Sequence, residues 1–215
     1  MVSAVLEDDA GVRVQPAILI VNRNASGITQ QTYELLDGTR AADITFEAVQ
    51  LDPSALILRG SEVTPALHAA LDNAVLAMSA AAIGSMEAVM AMTSEYLKTR
   101  IQYGQPLAKF QALQHRMAEM FVETDQARSI IYRALATIDA GDAEQRARAV
   151  SAAKSLVARA ARFVTGQGIQ LHGGIGTTEE YAVGHHYRAM LMYEYRFGDA
   201  AFHLDRSAGL LAVSI

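Results

Sequence analysis

The stretch Gln170-Leu171-His172-Gly173-Gly174-Ile175-Gly176 places three glycines within seven residues. Glycine tolerates left-handed backbone angles and lets another molecule approach bare peptide N–H groups, so this turn could hold an anion. It could equally be the glycine-rich end of a helix. A second stretch, Tyr96 to Gln111, reads YLKTRIQYGQPLAKFQ. Lys98 and Arg100 suit a helix C-terminus, where cations complement the macrodipole. That accounts for the charges but not for Tyr103, Gln105 and Gln111. Met86, Met90, Met92, Met117 and Met120 read as core filling. His185 and His186 are adjacent and point to different helix faces, so they cannot form an i, i+4 metal pair, and no metal site is expected.

These segments must be positioned by a chain of 215 residues, enough for one or two domains with a sizeable core. Hydrophobic residues make up 51% and the formal net charge is -5, the composition of a folded, mildly acidic protein. The basic residues are dispersed, and an acidic balance opposes a phosphate backbone, so no nucleic acid partner is expected. There is no cysteine, which removes disulfides and thiolate metal sites and fits a reducing, cytoplasmic location. The amino terminus lacks the basic start and apolar run of a signal peptide. No uninterrupted apolar run is long enough to span a bilayer, so no membrane partner is expected.

Residues 1–60 carry strand patterns. Val12 to Asn22, Thr29 to Leu36 and the alternation around Ile44 and Phe46 predict about three antiparallel strands, with Asp37-Gly38 as a hairpin turn. That is too little sheet to bury both faces, so this piece requires another surface. From residue 61 to 215 the pattern is helical. Thr64-Pro65 predicts the cap and start of a long first helix reaching about Arg100. Tyr103-Gly104-Gln105-Pro106 breaks the chain. A second helix is predicted from Gln111 to Asp139, and a third, rich in alanine, from Asp142 or Ala143 to Val164. The glycine turn follows. Thr177 or Thr178 is read as the cap of a fourth helix from Glu179, and Gly198-Asp199 as a turn before a last helix through Leu211. The fold class is α+β, mainly α: a partial antiparallel β-domain followed by an antiparallel bundle of four or five helices.

The segments TRIQYGQPLAKFQALQHRMAEM and GQGIQLHGGIGTTEEYAVGHHYR, in that order, resemble the two signature segments of the carboxy-terminal helical domain of the acyl-CoA dehydrogenases. The ending RFGDAAFHLDRSAGLLA is similar to the bacterial pimeloyl-CoA and steroid-type branch, some of whose members are built from two unlike subunits. The resemblance implies the second half of that family's middle β-domain at residues 1–60 and its helical bundle at 61–215. It implies flavin adenine dinucleotide (FAD) as cofactor, an acyl-CoA thioester as substrate and electron-transferring flavoprotein as a possible acceptor. By position, Arg100, Gln102 and Tyr103 correspond to residues that reach the FAD of a neighbouring subunit, and Gln111 lies near its adenine end. Gln170, Gly173 and Gly174 match the turn along the pyrophosphate and ribose. Physically this is sound, because glycines expose backbone N–H groups to a phosphate and a guanidinium adds a charge-assisted hydrogen bond.

The resemblance also implies α,β-dehydrogenation, with a glutamate taking the α-proton. In most members that base precedes the last helix, at the position of Phe197 here. A second group places it on the long first helix, at Ala74, with an arginine where this chain has Val75. Neither Phe197 nor Ala74 can take a proton. Glu194, about one helical turn before Phe197, is the remaining candidate; Glu87 and Glu95 match no base position. Family members carry a further helical domain and the first β-half ahead of the matched part. The chain is therefore expected to be either a piece of a longer protein or a half-site subunit completed by a partner. Homo- or hetero-oligomerisation is expected, because half a β-domain and long apolar helices leave surface to cover. The alternatives are a non-catalytic structural subunit, and a helical interaction module that kept the fold and lost flavin.

Overall fold

The computed structural model of the chain describes residues 1–7, 11–139 and 141–212. It divides into two units, Met1–Ala70 and Leu71–Ile215. In the first, β1 (Val2–Glu7), β2 (Arg13–Leu19) and β5 (Leu56–Arg59) form an antiparallel sheet with β2 in the middle. Ala4 lies opposite Ala17, which is fully buried, and Ala17 opposite Arg59. β3 (Ile28–Glu34) and β4 (Arg40–Phe46) pair as a separate hairpin. At its tip Asp37 Oδ1 accepts from the Thr39 backbone N–H at 3.1 Å and its hydroxyl at 2.6 Å, and Gly38 has φ 77°, as Asp37-Gly38 predicts.

The described residues among 1–60 thus hold five strands in two sheets where the sequence patterns predict about three. β5 has only four residues, too few for a period-2 signal. β1 alternates half-buried Val2, Ala4 and Leu6 with exposed Ser3, Val5 and Glu7, but exposed Val5 blurs the alternation.

α1 (Val63–Thr99) begins in the first unit and runs into the second. It is already helical at Val63, so Thr64 lies inside the first turn rather than capping it. Pro65 is tolerated there because the first N–H groups of a helix have no partner in any case. By length and composition α1 is apolar enough to cross a membrane, although polar residues interrupt every apolar run within it. Its Leu76, Ala82, Met86 and Val89 instead enter the core of the second unit. α2 (Gln111–Leu135) stops four residues before Asp139, and residues 136–139 continue as turns in which Thr137 N–H donates to Ala134.

α3 (Ala143–His172) starts at Asp142, whose carboxylate accepts from the Glu144 and Gln145 N–H groups at 2.9 and 3.0 Å. It continues eight residues beyond Val164, the expected end. Gly166 and Gly168 read as breakers, yet a Cβ on Gly168 would stand 2.4 Å from Val89 Cγ1 of α1. Glycine is there for helix contact, and packing overrides its poor propensity. α4 (Ala182–Tyr195) and α5 (Ala200–Ala212) complete five α-helices among the described residues, with α3 packed against α2, α4 and α5. Thr177 and Thr178 do not cap α4; their hydroxyls return to the Gly174 and Ile175 carbonyls, and Tyr181 precedes the helix. Met86 and Met120 are fully buried, and Met90, Met92 and Met117 pack against the same core, as expected.

Candidate functional site

The glycine turn is the end of α3. Gln170 sits in its last helical turn, exposed, rather than in the turn itself. Gly173 closes the helix at φ 63°. Gly173 and Gly174 are exposed, and a Cβ on either would meet no atom within 4 Å, so the peptide edge is open. Gly176 is different: it is buried, and a Cβ there would lie 2.7 Å from the Ile169 carbonyl. Two glycines thus leave backbone open and the third serves packing.

Beneath the turn His172 is 2% exposed, with Nδ1 2.7 Å from the Gly168 carbonyl and Nε2 without a hydrogen-bond partner. A carbonyl only accepts, so Nδ1 carries the proton. Burial pushes the His172 pKa below the ordinary histidine value. Its ring lies between Tyr96 of α1 and Tyr181, at centroid distances of 4.6 and 4.7 Å. This aromatic group ties the glycine turn to the last turns of α1, where the second predicted stretch begins.

Arg100 follows α1, and its N–H still donates to Tyr96 at 2.8 Å. The chain then forms a short ribbon, β6 (Ile101–Gln102) against β7 (Gln105–Pro106), with Gln102 opposite Gln105. Tyr103 at its tip has φ 54° and is 89% exposed, its ring edge-on to Phe110 at 6.1 Å. Gln111 begins α2 and is exposed. Among the described residues no ion pair or hydrogen bond engages the Arg100 guanidinium. Lys98, by contrast, is paired with Glu95 at 2.8 Å. Arg100, Gln102 and Tyr103 are therefore brought together, and the Tyr96–His172 contact carries the glycine turn to the same end of the bundle.

The base candidates sit on α1, on α4 and at the α4–α5 corner. Phe197 occupies the α4–α5 corner with φ 61° and is 48% exposed. Glu194, on the last turn of α4, accepts from Arg162 of α3 at 3.3 Å, its side chain 15% exposed. Ala74 is half-buried on α1 and Val75 is buried. Glu87 is paired with Arg128 at 2.5 Å. Glu179 is held by both terminal nitrogens of Arg188 at 3.0 and 2.8 Å, with His185 beside them. His186 reaches Ser85 at 3.2 Å, and no metal-binding group of three or more histidine, cysteine or acidic side chains occurs among the described residues.

Missing from the sequence expectations is a buried polar group under the α4–α5 corner. Asp72, 1% exposed, accepts from Arg206 Nη1 at 3.0 Å and Arg146 Nε at 3.2 Å. Lys154, also 1% exposed, donates to the Tyr193 carbonyl and lies 3.5 Å from the Tyr193 ring centroid. Burial lowers its pKa to about 8. Tyr193 bonds Ser79 at 2.6 Å, and burial pushes its pKa well up. A lysine at the centre of the apolar run VSAAKSLVA was the available signal.

Residues 64–209 match the family described as acyl-CoA dehydrogenase, C-terminal domain. The chain belongs to the acyl-CoA dehydrogenase family. It is similar to an acryloyl-CoA reductase (NADH) of Anaerotignum propionicum, 29% identical over 206 residues that cover 94% of this chain and 52% of that protein. Among solved structures, the Tcur3481-Tcur3483 steroid ACAD variant superposes with a TM-score of 0.82 at 26% identity, over 98% of this chain and 54% of that one. The ChsE4-ChsE5 complex from Mycobacterium tuberculosis shares the fold, with a TM-score of 0.83 at 23% identity over 98% of this chain and 55% of that one. The chain thus spans about half the length of these relatives.

Proposed function

We propose that this chain is a component of an FAD-dependent acyl-CoA dehydrogenase that holds the cofactor's diphosphate across a subunit boundary. Arg100, Gln102, Tyr103 and Gln111 form one set of contacts, and Gln170, Gly173 and Gly174 the other. The observation that carries this reading is the pairing of an unengaged guanidinium with open glycine backbone at one end of the bundle. The residues fit a dinucleotide: donors for phosphate, an exposed aromatic ring and no side chain filling the approach. When bound there, FAD would supply the hydride acceptor for the β-hydrogen of an acyl-CoA, and a base would take the α-proton.

In this chain the proposed base is Glu194. Replacing it with glutamine in the assembled enzyme is expected to lower turnover by about two to four orders of magnitude, the usual range for a general base. Unchanged turnover eliminates Glu194 and favours a base supplied by a partner subunit. The engagement of Glu194 with Arg162, and phenylalanine at the corner, favour that second reading, in which the chain supplies cofactor contacts and a partner subunit supplies the base. Electron-transferring flavoprotein is the proposed acceptor. An assembled preparation that is colourless and takes up no added FAD would instead favour an interaction module of the same fold.

A further inference from the structure

We infer that Lys154 and His203 are positioning residues for the α4–α5 corner, each donating to a main-chain carbonyl at the end of α4 and together seating Phe197 in its left-handed conformation. The last four carbonyls of a helix lack intrahelical partners. Tyr193 supplies one of them, and the buried Lys154 ammonium caps it, a cation at the negative end of the helix dipole. Tyr193 is fixed at its other end by Ser79, whose hydroxyl donates to Val75 at 2.7 Å, so the tyrosine must donate to Ser79.

The second contact has a direction that can be deduced. His203, 2% exposed, has Nε2 2.9 Å from the Phe197 carbonyl and Nδ1 3.1 Å from Ser151 Oγ. Arg206 Nη1 donates to Ser151 Oγ at 3.0 Å and to Asp72 Oδ1 at 3.0 Å. Guanidinium only donates and a carbonyl only accepts. Nε2 must therefore carry the proton, and the Ser151 hydroxyl must donate to Nδ1. The run from Asp72 through Arg206, Ser151 and His203 to Phe197 is satisfied in one sense only. Protonating His203 would set a second N–H against Ser151 in a buried site beside the Lys154 and Arg206 charges, with the Phe197 carbonyl and Asp72 favouring the cation.

The corner itself leaves no slack. Gly198 has φ 103°, and a Cβ there would stand 2.4 Å from Phe202 Cδ1 and 3.2 Å from His203 Nε2. Asp199 Oδ1 accepts the Phe202 N–H at 2.8 Å, capping α5. A non-glycine residue at φ 61° is strained, and it persists where its surroundings over-determine it. This inference rests on the proposed function only for what the corner faces, an acyl pocket, and not for how it is held.

Two readouts on the apo chain test it without flavin or substrate, so their failure is separable from failure of the functional reading. Long-range 1H–15N spectra of histidine-labelled protein at pH 7 should show His203 protonated at Nε2; an Nδ1–H tautomer overturns the direction. Hydrogen exchange across residues 195–203 should quicken about tenfold in Lys154→Met and His203→Leu, the scale of one lost hydrogen bond, while α2 is unaffected. Lys154→Gln and His203→Gln, which keep a donor, should stay within about threefold of the native rate. Native exchange in both apolar variants, or a glutamine variant as fast as its apolar counterpart, overturns the positioning role. If an apolar variant does not fold, the tautomer decides on the unaltered protein.

Discussion

At the scale of single residues, charge engagement differs between the arginines. Lys98, Arg128 and Arg188 have carboxylate partners, and Asp72 is held between Arg146 and Arg206; Arg100 stands apart from these pairs. Arg100→Ala should weaken FAD binding about ten- to a hundredfold, the worth of a charge-assisted hydrogen bond, and leave the melting temperature unchanged. Equal affinity in a calorimetric titration contradicts the assignment. His172, His186 and His203 all have pKa values lowered chiefly by burial. Below pH 6.5 the unfolded chain takes up protons that the folded chain refuses, so stability is full above that value and is lost as pH falls through the folded values. Thermal melts from pH 7.5 to 5 should show this decline, and His203→Gln should flatten part of it. Lys154, lowered to about 8, acts at the other end: the unfolded lysine keeps its proton to about 10.5, so stability should rise from pH 8 toward 10. Above that the raised pKa of Tyr193 works in the opposite direction. Lys154→Met should remove the rise.

At the scale of elements, Gly168 shows why helix packing was harder to read than helix existence. All five helices are legible from apolar spacing and from punctuation such as Asp142 and Gly198-Asp199. Where α3 ends is not, because a glycine needed for contact with Val89 looks locally like a breaker. Gln170 consequently lies on the helix, not in the turn. Gly168→Ala should destabilise the protein by about 1–3 kcal/mol, the cost of overpacking, as seen in chemical denaturation. Gly173→Ala meets no neighbour, so its cost is backbone strain alone, about 1–3 kcal/mol, because φ 63° with ψ -141° is a conformation almost confined to glycine. The candidate site was half legible. Its glycines and arginine stand in two contiguous motifs, whereas Lys154, Tyr193 and His203 come from different helices and meet only through the fold.

For the whole molecule, each unit leaves apolar surface uncovered. Phe121, Tyr132 and Leu135 recur at spacings that place them on one face of α2, and all are exposed, as are Phe202 and Leu204 of α5. In the first unit Tyr33, Ile44 and Phe46 are exposed on the β3–β4 hairpin. Contiguous apolar surface of this kind marks an interface, so multi-angle light scattering should find a dimer or higher assembly. A monodisperse, stable monomer contradicts that. The measurement that bears most directly on the central claim is titration with FAD of the chain assembled with the subunit that completes the site, followed by visible absorbance and calorimetry, beside the same assembly carrying Arg100→Ala. The expected result is saturable uptake that the substitution weakens. Uptake that Arg100→Ala leaves unchanged, or no uptake by the intact assembly, would show that this end of the bundle holds no flavin.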